Sequence, residues 1–135
     1  MHTSAARARA LTARGVTYPG HIAHVSTVRV DLRAALNGCP VADDVILCAS
    51  ELAANAALHS DSRLVGGTFT VRAVVSSDRR GIRIEVEDDG GPWNTAPDEP
   101  TGRHGLDILR SLAKEWGITG TQTARTIWAR FDWSD

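Results

Sequence analysis

The sequence has no long apolar run. No stretch of about 18 consecutive apolar residues occurs, so nothing in it is expected to span a membrane. Net charge is almost absent as well. It stands at −1 at pH 7, which leaves no bulk attraction to nucleic acid or to an anionic membrane, and neither is expected as a direct partner. Cysteine is scarce: Cys39 and Cys48 form neither a CxxC pair nor a Cys/His metal pattern, and no disulfide is demanded. Cys48 falls in an apolar helical stretch and reads as a small core residue. Met1 to Arg14 is rich in Arg and Ala but lacks the apolar centre of a secretory signal, so the expectation is a soluble, cytoplasmic protein. Internal repeats and low-complexity segments are missing. Strand–helix–strand alternation does not recur either, which argues against a doubly wound parallel sheet.

What is present fits one domain. A chain of 135 residues with 42% hydrophobic and 23% charged residues can bury a real core and is too short for two. Residues 1–15 read as a flexible tail and 16–135 as a single domain. Val16-Thr17-Tyr18 is β-prone and stopped by Pro19-Gly20, which suits an edge strand. Helical spacing of Val25, Val28, Leu32, Ala35 and Leu36 predicts a helix within 21–36, ended by Asn37-Gly38-Cys39-Pro40. A second helix runs from about Val41 to His59, with Asp43 and Asp44 placed for its dipole. Strict alternation then predicts a hairpin. Phe69, Val71, Ala73 and Val75 share one face, as do Ile82, Ile84 and Val86. A long aperiodic stretch, 88–101, separates the hairpin from a third helix carrying Leu106, Ile108, Leu109, Leu112 and Ala113. Two further strands follow, Trp116 to Gly120 and Thr126 to Trp133. The predicted fold is α+β: a two-layer sandwich with a mixed, mostly antiparallel sheet and all helices on one face.

Four places can carry chemistry. On the second helix, Glu51, Asn55 and His59 recur every four residues and stack in one line on an otherwise Ala-rich element. An amide oxygen such as that of Asn55 suits Mg²⁺, which takes one or two protein ligands and the rest from phosphate and water. A carboxylate such as that of Glu51 can accept a proton from an attacking hydroxyl. Taken alone, the pair also fits a solvated helix face. Next, a strand runs into Asp88-Asp89-Gly90-Gly91. A carboxylate at a strand end can accept from an exocyclic amine, and glycine lets the backbone approach a flat ring; the same letters also make a plain turn. Third, Gly102-Arg103-His104-Gly105-Leu106 leads into a helix N-terminus, where free N–H groups favour phosphate and Arg103 can add a charge-assisted contact. It lacks the Gly-Lys-Ser/Thr ending of a Walker A loop. Fourth, the Thr126 hydroxyl at the start of the last strand can reach a ligand, although Thr is also simply favourable in strands.

In order and spacing, ELxxNAxxH, VxDxGG, GxxGL and the Arg125-Thr126-Ile127-Trp128 phrase together resemble the nucleotide-binding boxes of the GHKL ATPase superfamily (gyrase, heat-shock chaperone, histidine kinase, MutL). Within it, the chain is similar to the small anti-sigma-factor serine/threonine kinases of actinobacteria, over roughly Tyr18 to Trp133. The resemblance implies a Bergerat-type fold binding Mg-ATP. Glu51 would be the general base and Asn55 the Mg²⁺ ligand. Asp88 would hold the adenine amine, with Gly90 the first glycine of that box. Gly105 and Leu106 would cradle phosphate, Thr126 would lie near adenine, and His59 would assist the phosphates or serve structure. Residues 89–101 would form a lid. The implied partners are a sigma factor and an anti-anti-sigma (STAS-type) protein, with the chain a homodimer. Departures stand at Pro92, at His104 and Asp107, and at Ala124, where the family pattern favours glycine. They favour weak or slow ATP use and keep open a non-catalytic nucleotide-binding module that sequesters a partner. A detached ATP-binding half of a histidine kinase is a third reading, set back by the lack of room for a helical hairpin with a phosphoacceptor His.

Overall fold

Apolar alternation and helical periodicity place the elements. The computed structural model describes residues 3–91 and 104–133. In chain order they form α1 (Ser4–Leu11), β1 (Val16–Pro19), α2 (Val25–Ala35), α3 (Ala42–His59), β2 (Thr68–Val75), β3 (Gly81–Asp88), α4 (His104–Leu112), β4 (Glu115–Gly120) and β5 (Arg125–Asp132). Single 3₁₀ turns at Ile22–His24 and Asp61–Arg63 lead into α2 and follow α3. Among the described residues no helix is long and apolar enough to cross a membrane.

The five strands lie in the order β1-β2-β3-β5-β4, and every pairing among them is antiparallel. The sequence reading expects a mixed sheet. β3 and β4 do run in the same direction on either side of α4, but β5 inserts between them, so no parallel ladder forms. Register sets Val71 against Val86 and Ala73 against Ile84, then Ile84 against Ala129 and Val86 against Ile127. All of these are buried and share one face of the sheet. Val75 shares the face by register but stands exposed at the far end of its strand.

The helices cover that face. α3 lies over β2, β3 and β5, with α2 and α4 packed beside it. Its buried side is built from small residues, among them Cys48, Ala49, Ala53 and Ala56, which let the helix approach the sheet closely. The other face of the sheet is polar. Arg72 bridges Glu85 and Glu87 at 3.0 and 2.9 Å, and Arg83 lies 4.3 Å over the Trp128 ring. The result is the two-layer α+β sandwich.

The N-terminus departs from the expected flexible tail. The Thr3 hydroxyl caps α1 by accepting from the Ala6 N–H, and Leu11 closes the helix into the core. Arg7 Nε donates to Asp31 Oδ2 at 2.7 Å, and the Tyr18 hydroxyl donates to the same oxygen at 2.8 Å. Asp31 is fully buried, so α1, α2 and β1 are joined through one carboxylate. Burial and this hydrogen bond hold the Tyr18 hydroxyl far above its ordinary titration range.

Candidate functional site

The end of α3 and the end of β3 are stitched together. Past His59, the Asp61 N–H donates to the Gly90 carbonyl at 2.9 Å, and the Ser62 hydroxyl accepts from the Asp89 N–H at 2.9 Å. Asp89 Oδ2 accepts from the Thr68 N–H, and the Gly91 N–H donates to the Gln122 carbonyl at 2.7 Å. Gly90 and Gly91 hold φ of 71° and 95°, which only glycine adopts easily. A Cβ on Gly90 would collide with the Gln122 carbonyl, and one on Gly91 with the Asp61 carboxylate. Backbone passes close at Gly90, whereas at Gly91 the close neighbour is the Asp61 side chain. The two glycines are fixed by geometry as well as by turn chemistry.

Asp88 is the last residue of β3. It shares the helix-facing side with Val86 and is 5% exposed. Its Oδ1 accepts from the Gly90 N–H at 2.7 Å. Burial pushes the carboxyl above its ordinary value, while that N–H and the nearby Arg125 pull it part of the way back. An acceptor at this depth suits a donor that arrives desolvated, such as an exocyclic amine.

The family resemblance implies that Thr126 lies near the base, and the register shows which face of the sheet it occupies. Thr126 pairs with Glu87 on the outer face of the sheet, whereas Arg125 pairs with Asp88 on the helix-facing side. Arg125 Nη2 lies 3.4 Å from Asp88 Oδ1 and 3.5 Å from the Gly90 carbonyl. Arg125 is thus the neighbour that the sequence reading missed. The alternation that turns Ile127, Ala129 and Phe131 inward was the available signal.

On α3, Glu51, Asn55 and His59 keep their four-residue spacing on one continuous helix. Glu51 and His59 are half-buried, and Asn55 is 7% exposed. The Asn55 Nδ2 atom is buried with no hydrogen-bond partner among the described residues. Amide oxygen and nitrogen exchange by rotation about the last side-chain bond, so the orphaned position is equally one for the oxygen. A buried polar atom without a partner is costly unless a ligand supplies one. Among the described residues no three acidic, His or Cys side chains converge on a metal. A cation here would draw one protein ligand from Asn55 and the rest from phosphate and water, which suits Mg²⁺.

α4 packs against α3 and begins at His104, which places Gly105 and Leu106 in its first turn, where backbone N–H groups lack helical partners. Leu106 is half-buried and packs on the core. Arg103 and, from residue 92 onward, the expected lid lie outside the described residues. Among the described residues, the two larger open hollows lie elsewhere. One of about 470 Å³ sits at the far end of the sheet, beside Val74, Arg83, Arg130 and Trp133. Another of about 630 Å³ runs between α2 and α3, beside Arg29, Val30 and Ile46. Neither is lined by Glu51, Asn55 or Asp88.

Residues 18–131 match the family model described as Histidine kinase-like ATPase domain. The chain belongs to that family. Membership in the histidine kinase-like ATPase family supports ATP binding, and the paired Asp88 and Asn55 ends fit it. A similar fold is seen in the Erythrobacter litoralis EL346 blue-light activated histidine kinase, with a TM-score of 0.57 and 22% identity. The match covers 82% of this chain and 41% of that one, so this chain spans less than half of that kinase's length. No curated protein matches significantly.

Proposed function

We propose that this histidine kinase-like ATPase domain is an ATP-dependent protein serine/threonine kinase of the anti-sigma type. It phosphorylates an anti-anti-sigma (STAS-type) partner, thereby regulates a sigma factor, and works as a homodimer. The observation that carries the proposal is the orphaned amide of Asn55 one helical turn beyond the half-buried Glu51. Bound Mg-ATP supplies the phosphoryl group and its charge. The chain supplies position. Asp88 accepts from the adenine amine, the first turn of α4 offers N–H groups to phosphate, and the Asn55 amide oxygen holds the cation. Glu51 would take the proton from the partner's serine hydroxyl as that oxygen bonds to the γ-phosphorus and ADP leaves with the electron pair of the broken P–O bond. Catalysis of this kind is mostly alignment and charge neutralisation.

The test is transfer of labelled phosphate from ATP to a STAS-type partner, wild type against Glu51→Ala. An acid-stable phosphoserine made by wild type and lost in the variant supports the proposal. An acid-labile product, or equal transfer by both, overturns it. A second reading, a nucleotide-binding module that sequesters its partner without catalysis, is favoured by Arg125 lying on Asp88 where the base would enter. Partner binding that depends on nucleotide, with no transfer, would select it.

A further inference from the structure

We propose that the outer edge of β4 is the contact between two copies of this chain. The two β4 strands pair antiparallel about a two-fold axis at Ile118, so that the two sheets run on as one. This rests on the reading of the chain as a homodimer and names its interface; the phosphoryl chemistry stands or falls without it.

β4 is an end strand of the sheet, and among the described residues no strand pairs with its outer side. A bare edge offers N–H and C=O groups to another strand, so edges are commonly blunted by proline, lysine, a bulge or shortness. The other end strand is blunted: β1 has four residues and ends at Pro19. β4 is not. Its six residues keep an unbroken register with β5 and include neither proline nor lysine. Their one charge, Glu115, stands at the first position. In the middle of the strand, Ile118 is 40% exposed although its register partner Ile127 is only 3% exposed. The helix layer that covers Ile127 leaves Ile118 open.

The ladder shows which backbone groups face outward. At the turn between β4 and β5 the Thr121 N–H donates to the Ala124 carbonyl at 2.8 Å, in register with the strands. Hydrogen-bonded pairs alternate along an antiparallel ladder. Thr119 and Gly117 therefore bond to β5, and the N–H and C=O groups of Trp116 and Ile118 point to the open edge. A second copy joined there must set helix-facing residues against helix-facing residues. With the axis at Ile118, Ile118 pairs with its own copy and exchanges both backbone bonds with it. Trp116 then stands opposite Gly120 of the copy, which has no side chain to crowd the indole. Glu115 meets Thr121, so no like charges face each other. An axis at Gly117 would instead set Trp116 against Ile118. Pairing β4 on the β1 of another copy would be head-to-tail and would propagate, whereas pairing on β4 closes at two.

Sedimentation from about 1 to 500 µM and thiol cross-linking in a Cys39→Ser background decide the matter. A contact this small is expected to give a dimer with Kd of about 1–100 µM. Ile118→Lys sets two ammonium groups at the axis and is expected to weaken the dimer by about 100-fold. Ile118→Cys is expected to oxidise to a covalent dimer at least about tenfold faster than Thr119→Cys, which the pairing holds beyond disulfide reach of its copy. Val65→Cys, on a fully exposed residue, measures the rate of chance collision. Equal rates in the three cysteine variants overturn this contact and leave the homodimer to another surface, and need no lysine variant to be read. A folded Ile118→Lys that dimerises like wild type overturns it too. Wild type that stays monomeric throughout overturns the homodimer and this contact together.

Discussion

Asp88 and Arg125 face each other across the β3–β5 ladder, carboxylate to guanidinium at 3.4 Å, on the side of the sheet that the helices cover. Burial still outweighs the guanidinium in setting the carboxyl, whose titration lies above the ordinary aspartate value. The sign follows from linkage. A carboxyl raised on folding binds more protons in the native state than in the unfolded chain. Stability therefore falls as pH rises from the ordinary value through the raised one, and the cost persists at neutral pH. Asp88→Asn removes that charge and keeps an oxygen for the Gly90 N–H. The variant is expected to melt no lower than wild type at pH 7 and to flatten the pH profile above the ordinary carboxylate range. It is also expected to weaken ATP by about 10–100-fold, the loss of a charge-assisted bond. Melting curves across pH, paired with titrations, check both.

The orphaned amide of Asn55 separates stability from function. Asn55→Ala removes a buried polar atom that no described residue satisfies, so the melting temperature should hold or rise. Mg-ATP affinity should drop by about tenfold or more, while affinity for ATP in EDTA should change little. Glu51→Ala should behave differently: nucleotide affinity near wild type, phosphoryl transfer down by about 10²–10⁴-fold. Titration with and without Mg²⁺, beside transfer rates, distinguishes the two.

Gly90→Ala tests the strand-end loop. The substitution meets a φ of 71° and a fixed backbone carbonyl at Gln122. A cost of about 1–3 kcal/mol is expected, read as a lower denaturation midpoint. Because the loop carries the Gly90 N–H that orients Asp88, nucleotide affinity should fall with it. A melting temperature equal to wild type would show that the loop is not held as described.

The two cysteines should differ in reactivity. Cys48 is buried in α3, and burial pushes its thiol up to about 12. Cys39 is half-buried near the start of the loop to α3. One equivalent of a thiol reagent is expected to react with the native protein at pH 8, at Cys39, and the second only after unfolding. Mass spectrometry of the labelled peptides assigns them.

Asp31→Ala tests the anchor of α1. It leaves the Tyr18 hydroxyl buried without its acceptor, and Arg7 without its carboxylate. A loss of about 2 kcal/mol is expected, with faster amide exchange across residues 4–11.

Much of this was legible in the sequence because period and burial agree. Alternation in 68–75 and 82–87 gave the hairpin, since one face meets the helices and the other meets water. The Glu51, Asn55 and His59 line was legible because a helix keeps its spacing whatever it packs on. Arg125 was not legible as the neighbour of Asp88. Strand geometry gives only its face: with Ile127 inward, Arg125 is inward as well. Helix α1 was illegible because its anchor is polar and distant. Arg7 finds Asp31 across 24 residues of chain, and no local pattern announces that partner.

The hydrogen bonds from Asp61 and Ser62 to the strand-end loop make the turn after α3 and the tip of β3 a single rigid piece. Under the proposed nucleotide site, the span between Asp88 at the base end and Asn55 at the phosphate end would behave as a gauge of fixed length. A nucleoside or a free phosphate chain can engage only one end of it. Preference for a complete nucleotide would then follow from reach alone, before any atom of the base is recognised.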